Sequence, residues 1–157
     1  AKMGMHYVAC GPANLFPKKD LYKKALDIAK ETGGSVTLEM DAKLASKNAD
    51  IFYTDVWVSM GEPREVWKER IALLEEYRIT DELMALGKEN AIFMHCLPAF
   101  HDLETQVGRE IYDEFGVDEM EVADSVFQSK QSVVFDQAEN RLHTIKAVMV
   151  ATIGEEE

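Results

Sequence analysis

The sequence predicts an α/β domain of three layers, a mostly parallel sheet with helices on both faces, spanning residues 1–157. Three observations predict it. Short apolar, β-branched runs alternate with amphipathic segments at helical spacing, the pattern of a parallel sheet buried on both sides. No internal repeat, low-complexity tract or linker divides the chain. With 157 residues, 46% of them hydrophobic and 29% charged, the chain is long enough to bury one real core.

Taken in order, Gly4 to Cys10 reads as a strand halted by Gly11-Pro12. Pro17 suits the first turn of a helix on which Leu21, Ala25, Ile28 and Ala29 recur, and Gly33-Gly34 closes it. Ser35 to Met40 is a second strand, and Asp41 caps a short helix to about Asn48. Ile51 to Trp57 is the third strand, followed by a loop from Val58 to Pro63. The next helix carries Trp67, Ile71 and Leu74 on one stripe. Thr80-Asp81-Glu82 opens another, which Gly87 ends. Then come a strand from Ala91 to Leu97, a helix from Thr105 to Phe115 and a short last strand from Met120 to Ala123. The final helix runs from about Gln137 to Ile153 with Leu142, Ile145 and Met149 on one side; Glu155 to Glu157 reads as a frayed tail.

Composition excludes several functions. The net charge of −12 opposes a nucleic-acid surface, which needs clustered Lys and Arg. No apolar run approaches the ~20 residues that span a bilayer, and Ala1 to Met5 has no secretory pattern. Cys10 and Cys96 lie in different apolar strands rather than in a disulfide framework, so the expectation is a reducing cytoplasm. No Cys-x-x-Cys or His-x-x-x-His pair offers a zinc site, and no Gly-x-Gly-x-x-Gly or P-loop a nucleotide site. We expect no metal and no cofactor.

The chemistry concentrates in Met94-His95-Cys96-Leu97-Pro98-Ala99-Phe100-His101. An apolar strand that breaks into a thiol, two imidazoles and a proline resembles the carboxyl end of a parallel strand, where open α/β sheets hold ligands. Strand residues alternate, so only one of His95 and Cys96 faces the crevice; we expect Cys96. Alone, Cys96 is either an inert core thiol or a reactive one. Asp55 interrupts another apolar strand near its end. It is either a loop anchor or N-cap, or a carboxylate facing the crevice to receive an ammonium group. Ser59 adds a hydroxyl in a loop bracketed by Gly61 and Pro63 that can move as a lid. Arg141, at the start of the last helix, is either an anion site or an exposed cation paired to Glu139 or Asp136. Pattern alone leaves His6, His95, His101 and His143 undecided.

Asp55-Val56-Trp57-Val58-Ser59-Met60-Gly61, His95-Cys96-Leu97-Pro98 and Phe135-Asp136-Gln137-Ala138-Glu139-Asn140-Arg141 together closely resemble ornithine carbamoyltransferase. The resemblance covers essentially the whole chain but only the ornithine-binding second half of that enzyme. It implies a Rossmann-like domain and transfer of a carbamoyl group from carbamoyl phosphate to the δ-amine of L-ornithine, giving citrulline and phosphate. It further implies that Asp55, Ser59 and the Met60 backbone hold the α-amino and α-carboxylate ends of ornithine, under a closing Ser59-Met60-Gly61 loop. Cys96, steered by Asp55, would accept the δ-amine proton. The Cys96 and Leu97 backbone would bind the carbamoyl group, with Leu97-Pro98 cis, and Arg141 would contact carbamoyl phosphate. An attacking amine must be neutral and a tetrahedral oxyanion needs N–H or cationic partners, and neither demand calls for a metal.

The family's Ser-Thr-Arg-Thr and His-Pro-x-Gln phosphate motifs are absent, as are the segment bearing an ornithine-binding Asn and the domain's first, central strand. The expectation is therefore a fragment, inactive in isolation, that needs a complementary carbamoyl-phosphate domain; the full-length enzyme is expected to be a homotrimer. The rival reading is a non-catalytic amino-acid-binding or interaction module that keeps the old crevice. Exposed sheet edges driving self-association form a third.

Overall fold

The computed structural model describes residues 1–59 and 61–154. Four strands and seven α-helices follow one another along it: β1 (His6–Cys10), α1 (Lys19–Thr32), β2 (Ser35–Glu39), α2 (Ala42–Ser46), β3 (Ile51–Thr54), α3 (Glu65–Leu74), α4 (Asp81–Met84), β4 (Ile92–His95), α5 (Gln106–Phe115), α6 (Asp124–Phe127) and α7 (Val134–Ile153). The α/β class is the one the sequence predicts. Local chemistry sets most boundaries. Asp41 accepts from the Lys43 and Leu44 N–H groups, Thr80 from Leu83 and Thr105 from Gly108, each satisfying helix-start donors that lack intrahelical partners. Gly33 ends α1 in the left-handed conformation, and at Gly34 a Cβ would lie 2.6 Å from the Met5 carbonyl oxygen. Pro17 precedes α1 rather than sitting in its first turn.

The strands form two parallel pairs rather than one sheet. Tyr7 pairs with Val36 in β1–β2, and Thr54 with His95 in β3–β4; among the described residues no strand joins the two pairs. β1 is largely exposed, with Tyr7 and Val8 open to solvent. The expected strand from Met120 to Ala123 is reduced to one parallel bridge, Val122 opposite Ile79, because only the Ile79 and Ala123 N–H groups bond across it.

The core lies around the β3–β4 pair. Phe52, Phe93, Val122, Val126 and Val134 form one cluster, and Trp57, Ile71, Ile111 and Met120 a second. Helix α7 departs from expectation: Leu142, Ile145 and Met149 do share a side, but they are 66%, 49% and 51% exposed. Helical periodicity predicts an apolar face; here nothing among the described residues covers it. No described helix is long and apolar enough to cross a membrane.

Candidate functional site

The site forms where β3 and β4 leave the sheet side by side. Thr54 lies opposite His95, so Asp55 and Cys96 are the first residues of each segment beyond the paired strands. Strand alternation turns their neighbours apart. The His95 side chain is 0% exposed and lies 3.1 Å from the equally buried Glu121 carboxylate, whereas Cys96 is exposed. The Cys96 Sγ–H donates to Asp55 Oδ1 at 2.9 Å, and the Val56 N–H donates to the same oxygen at 2.8 Å. Asp55 is thus a loop anchor and the thiol's acceptor at once.

These contacts fix the thiol's acidity. Burial, then the hydrogen bond to Asp55 and its negative charge, push Cys96 up to about 11. At neutral pH roughly one such thiol in 10⁴ is ionised, so Cys96 rests as a proton donor. Leu97 follows in the left-handed region at φ 50°, and Leu97-Pro98 is cis. The Leu97 N–H donates inward to His95 Nδ1 at 2.8 Å. Its carbonyl is therefore the backbone group Leu97 has left to offer a ligand.

A shallow cleft separates these strand ends from α7, lined by Tyr53, Cys96, Gln137, Asn140, Arg141 and Thr144, among others. Gln137 ties its walls together: Oε1 accepts the His95 N–H at 3.1 Å and Nε2 donates to the Tyr53 hydroxyl at 3.2 Å. Arg141 sits in the second turn of α7, because the helix begins at Val134 rather than near Gln137. At 1.5 Å per residue it lies about 10 Å along the axis from the first helical residue. Any anion it holds is held by the guanidinium, not by the helix end. Among the described residues no carboxylate pairs with it, so the expected alternative, a salt bridge to Glu139 or Asp136, is not formed.

Ser59 is exposed. Its N–H donates to Glu62 Oε2 at 2.7 Å, the Glu62 N–H returns to the Ser59 carbonyl at 3.1 Å, and Glu62 pairs with Arg70 of α3 at 3.5 Å. Met60, expected to contribute its backbone, lies outside the described residues. His6 Nδ1 bonds the Ser35 hydroxyl at 2.9 Å, and His143 is exposed on α7. His101 stacks on Phe127 with Nδ1 2.8 Å from Asp124 and 3.5 Å from Asp102. Those three side chains form the one cluster among the described residues that brings three metal-ligating atoms together.

Glu121, Gln137 and Tyr53 were not singled out by sequence pattern. Glu121 carried a signal all the same, a lone carboxylate inside the apolar Met120–Ala123 run, the feature that marks Asp55. Gln137 and Tyr53 act through contacts 84 residues apart in sequence, which no local pattern encodes.

The family described as "Aspartate/ornithine carbamoyltransferase, Asp/Orn binding domain" matches residues 1–152. A catabolic ornithine carbamoyltransferase of Treponema denticola is 57% identical over 152 residues, covering 97% of this chain and 45% of its own length. An ornithine carbamoyltransferase of Pediococcus pentosaceus is 56% identical over 156 residues, 99% of this chain and 47% of its own. The solved ornithine carbamoyltransferase from Pyrococcus furiosus superposes with a TM-score of 0.82 at 37% identity, over 99% of this chain and 44% of that one. The chain thus spans a little under half the length of the relatives it matches.

Proposed function

The chain belongs to the aspartate/ornithine carbamoyltransferase family, matching its Asp/Orn-binding domain, and from that premise we propose that it carries the ornithine half of a carbamoyl-transfer site. The observation that carries this reading is the Cys96–Asp55 hydrogen bond at the rim of a cleft that Arg141 also lines. Asp55 and Ser59, with the backbone at Met60, hold the α-amino and α-carboxylate ends of L-ornithine. Cys96, steered by Asp55, then meets the δ-ammonium at the strand end.

The amine reacts only after losing a proton. Cys96, pushed up to about 11, rests as a thiol, so its sulfur takes the ammonium proton only as its own proton passes on to Asp55. The path runs from the δ-ammonium to Cys96 Sγ while the Sγ proton moves along its hydrogen bond to Asp55 Oδ1. The freed amine attacks the carbamoyl carbon of carbamoyl phosphate, the C–O bond to phosphate breaks, the second amine proton goes to the leaving phosphate, and citrulline and phosphate leave. The Leu97 carbonyl accepts from the carbamoyl amino group, the Cys96 backbone supports it, and Arg141 steadies the negative charge that develops.

We further propose that a complementary carbamoyl-phosphate domain, and a strand joining β1–β2 to β3–β4, complete the working enzyme as a homotrimer. The apolar face of α7 and the two strand pairs, uncovered and unjoined among the described residues, support the added domain and strand. The chain alone is then expected to make little or no citrulline. Calorimetric titration with L-ornithine, with and without carbamoyl phosphate, tests the half-site: the expected heat disappears in Asp55→Ala. Mixing the chain with the carbamoyl-phosphate-binding half of a relative should yield citrulline. A folded pair that makes none would overturn the reading.

A further inference from the structure

The Cys96 strand end is held by a buried pair that the proposed reaction does not use. Glu121 and His95 have 0% exposed side chains. Glu121 Oε1 accepts twice, from His95 Nε2 at 3.1 Å and from the Phe100 N–H at 2.8 Å. His95 Nδ1 accepts the Leu97 N–H at 2.8 Å. A backbone N–H can only donate, so Nδ1 offers its lone pair and the ring proton sits on Nε2. The acceptor that fixes this tautomer is Glu121. The His95 N–H is itself held by Gln137.

The segment from His95 to Phe100 is therefore gripped at three backbone N–H groups, at His95, Leu97 and Phe100. Between them Leu97 keeps φ 50°, a region that residues with a Cβ rarely adopt. Among the described residues Glu121 Oε2 has no hydrogen-bond partner. A buried carboxylate with one oxygen unpaired is a poor device for stability, and apolar packing of similar volume serves that end better. What it does that apolar packing cannot is aim donors. With the Leu97 and Phe100 N–H groups both taken, the Leu97 carbonyl is the polar backbone group that Leu97 has left for a ligand.

We propose that Glu121 is a positioning residue: acting through the Nε2–H tautomer of His95 and through Phe100 N–H, it sets the direction of the Leu97 carbonyl and so the placement of the carbamoyl group. This rests on the carbamoyl-transfer reading above. Misplacing a reacting group by about 1 Å costs roughly a hundredfold in rate.

The test compares the chain, paired with its complementary half, with E121L and E121Q pairs. E121L removes both hydrogen bonds, and kcat for citrulline should fall about 10- to 100-fold while the KM for ornithine moves less than about threefold. E121Q keeps an acceptor oxygen and should recover most of the loss. An E121L pair with unchanged kcat, or one whose loss lies wholly in the ornithine KM, overturns the role. If E121L does not fold, long-range ¹H–¹⁵N spectra of the unsubstituted chain decide. A proton on His95 Nε2 alone, with a strongly protected Leu97 amide, supports the role, and a proton on Nδ1 overturns it. An unsubstituted pair that makes no citrulline defeats the carbamoyl-transfer reading itself, a different outcome from an active pair indifferent to E121L.

Discussion

Replacing Asp55 with Asn leaves the side chain's size nearly unchanged and removes its charge, and the Cys96 thiol should report the change. That thiol is raised from 9.0 to about 11 by burial, by the hydrogen bond to Asp55 and by its charge, in that order. Asn abolishes the charge and weakens the bond but leaves the burial. Losing the charge and part of the bond is expected to raise the thiolate fraction at pH 8 roughly tenfold. Nucleophilicity falls with basicity at a Brønsted slope of about 0.4–0.5, which takes back about threefold. The net expectation is alkylation of Cys96 by iodoacetamide about 3- to 10-fold faster in Asp55→Asn. Peptide mass spectrometry follows Cys96 and Cys10 in one sample. Cys10 is also raised to about 11, by burial and then by Glu39, Asp41 and Glu76, so its rate should not move. A folded variant in which Cys96 reacts no faster would refute the idea that Asp55 controls the thiol, and the proposed proton path with it.

Both thiols also tie stability to alkaline pH. A folded-state pKa above the unfolded 9.0 favours the protonated, folded form, so this contribution is complete below about pH 9 and is lost as pH rises toward 11. Urea midpoints should fall between pH 8 and 10.5, and less steeply in the Cys10→Ser, Cys96→Ser double variant; equal slopes would contradict the shifts. Gln137→Leu leaves the part-buried His95 N–H without its partner, while the exposed Tyr53 hydroxyl turns to water, and should cost about 1–3 kcal/mol in denaturant unfolding. Phe93→Ala, which removes a fully buried ring, should cost about 3–5 kcal/mol. Ile145→Glu should change the stability of the chain alone by no more than about 0.5 kcal/mol, because the side chain is half exposed. The same change should weaken association with the complementary half at least tenfold, seen by sedimentation; undiminished binding would place that half elsewhere.

Local chemistry was legible in the sequence and non-local pairing was not. Asp41, Thr80 and Thr105 cap helices because an oxygen two or three residues from orphan N–H groups is enough, and Gly33 stops α1 because positive φ costs it nothing. The same locality made Asp55 and Cys96 stand out at the ends of apolar runs. The start of α7 was misplaced because Val134 and Phe135, β-branched and aromatic, resemble a strand exit more than a helix start; Val133 N–H bonds the Phe93 carbonyl, and this distant contact delivers the chain to α7. Met120 to Ala123 has a strand's composition but a single bridging partner, and composition does not count partners.

Helix α7 separates two things that periodicity merges. The spacing of Leu142, Ile145 and Met149 states which side of the helix is apolar, and the fold agrees. It does not state where the covering surface comes from. For α5 the cover is local, since Ile111 packs with Trp57, Ile71 and Met120. For α7 the face stays open along the same helix whose first turn buries Val134 and whose second turn presents Arg141 to the cleft. A surface that docked on that face would lie beside Arg141 and could bring groups of its own to the anion there. On this argument the open apolar face and a guanidinium that no carboxylate pairs among the described residues are one feature. A partner that covers Leu142 and Ile145 should also shield Arg141 from arginine-selective dicarbonyl reagents, and continued rapid modification of Arg141 in the complex would separate them.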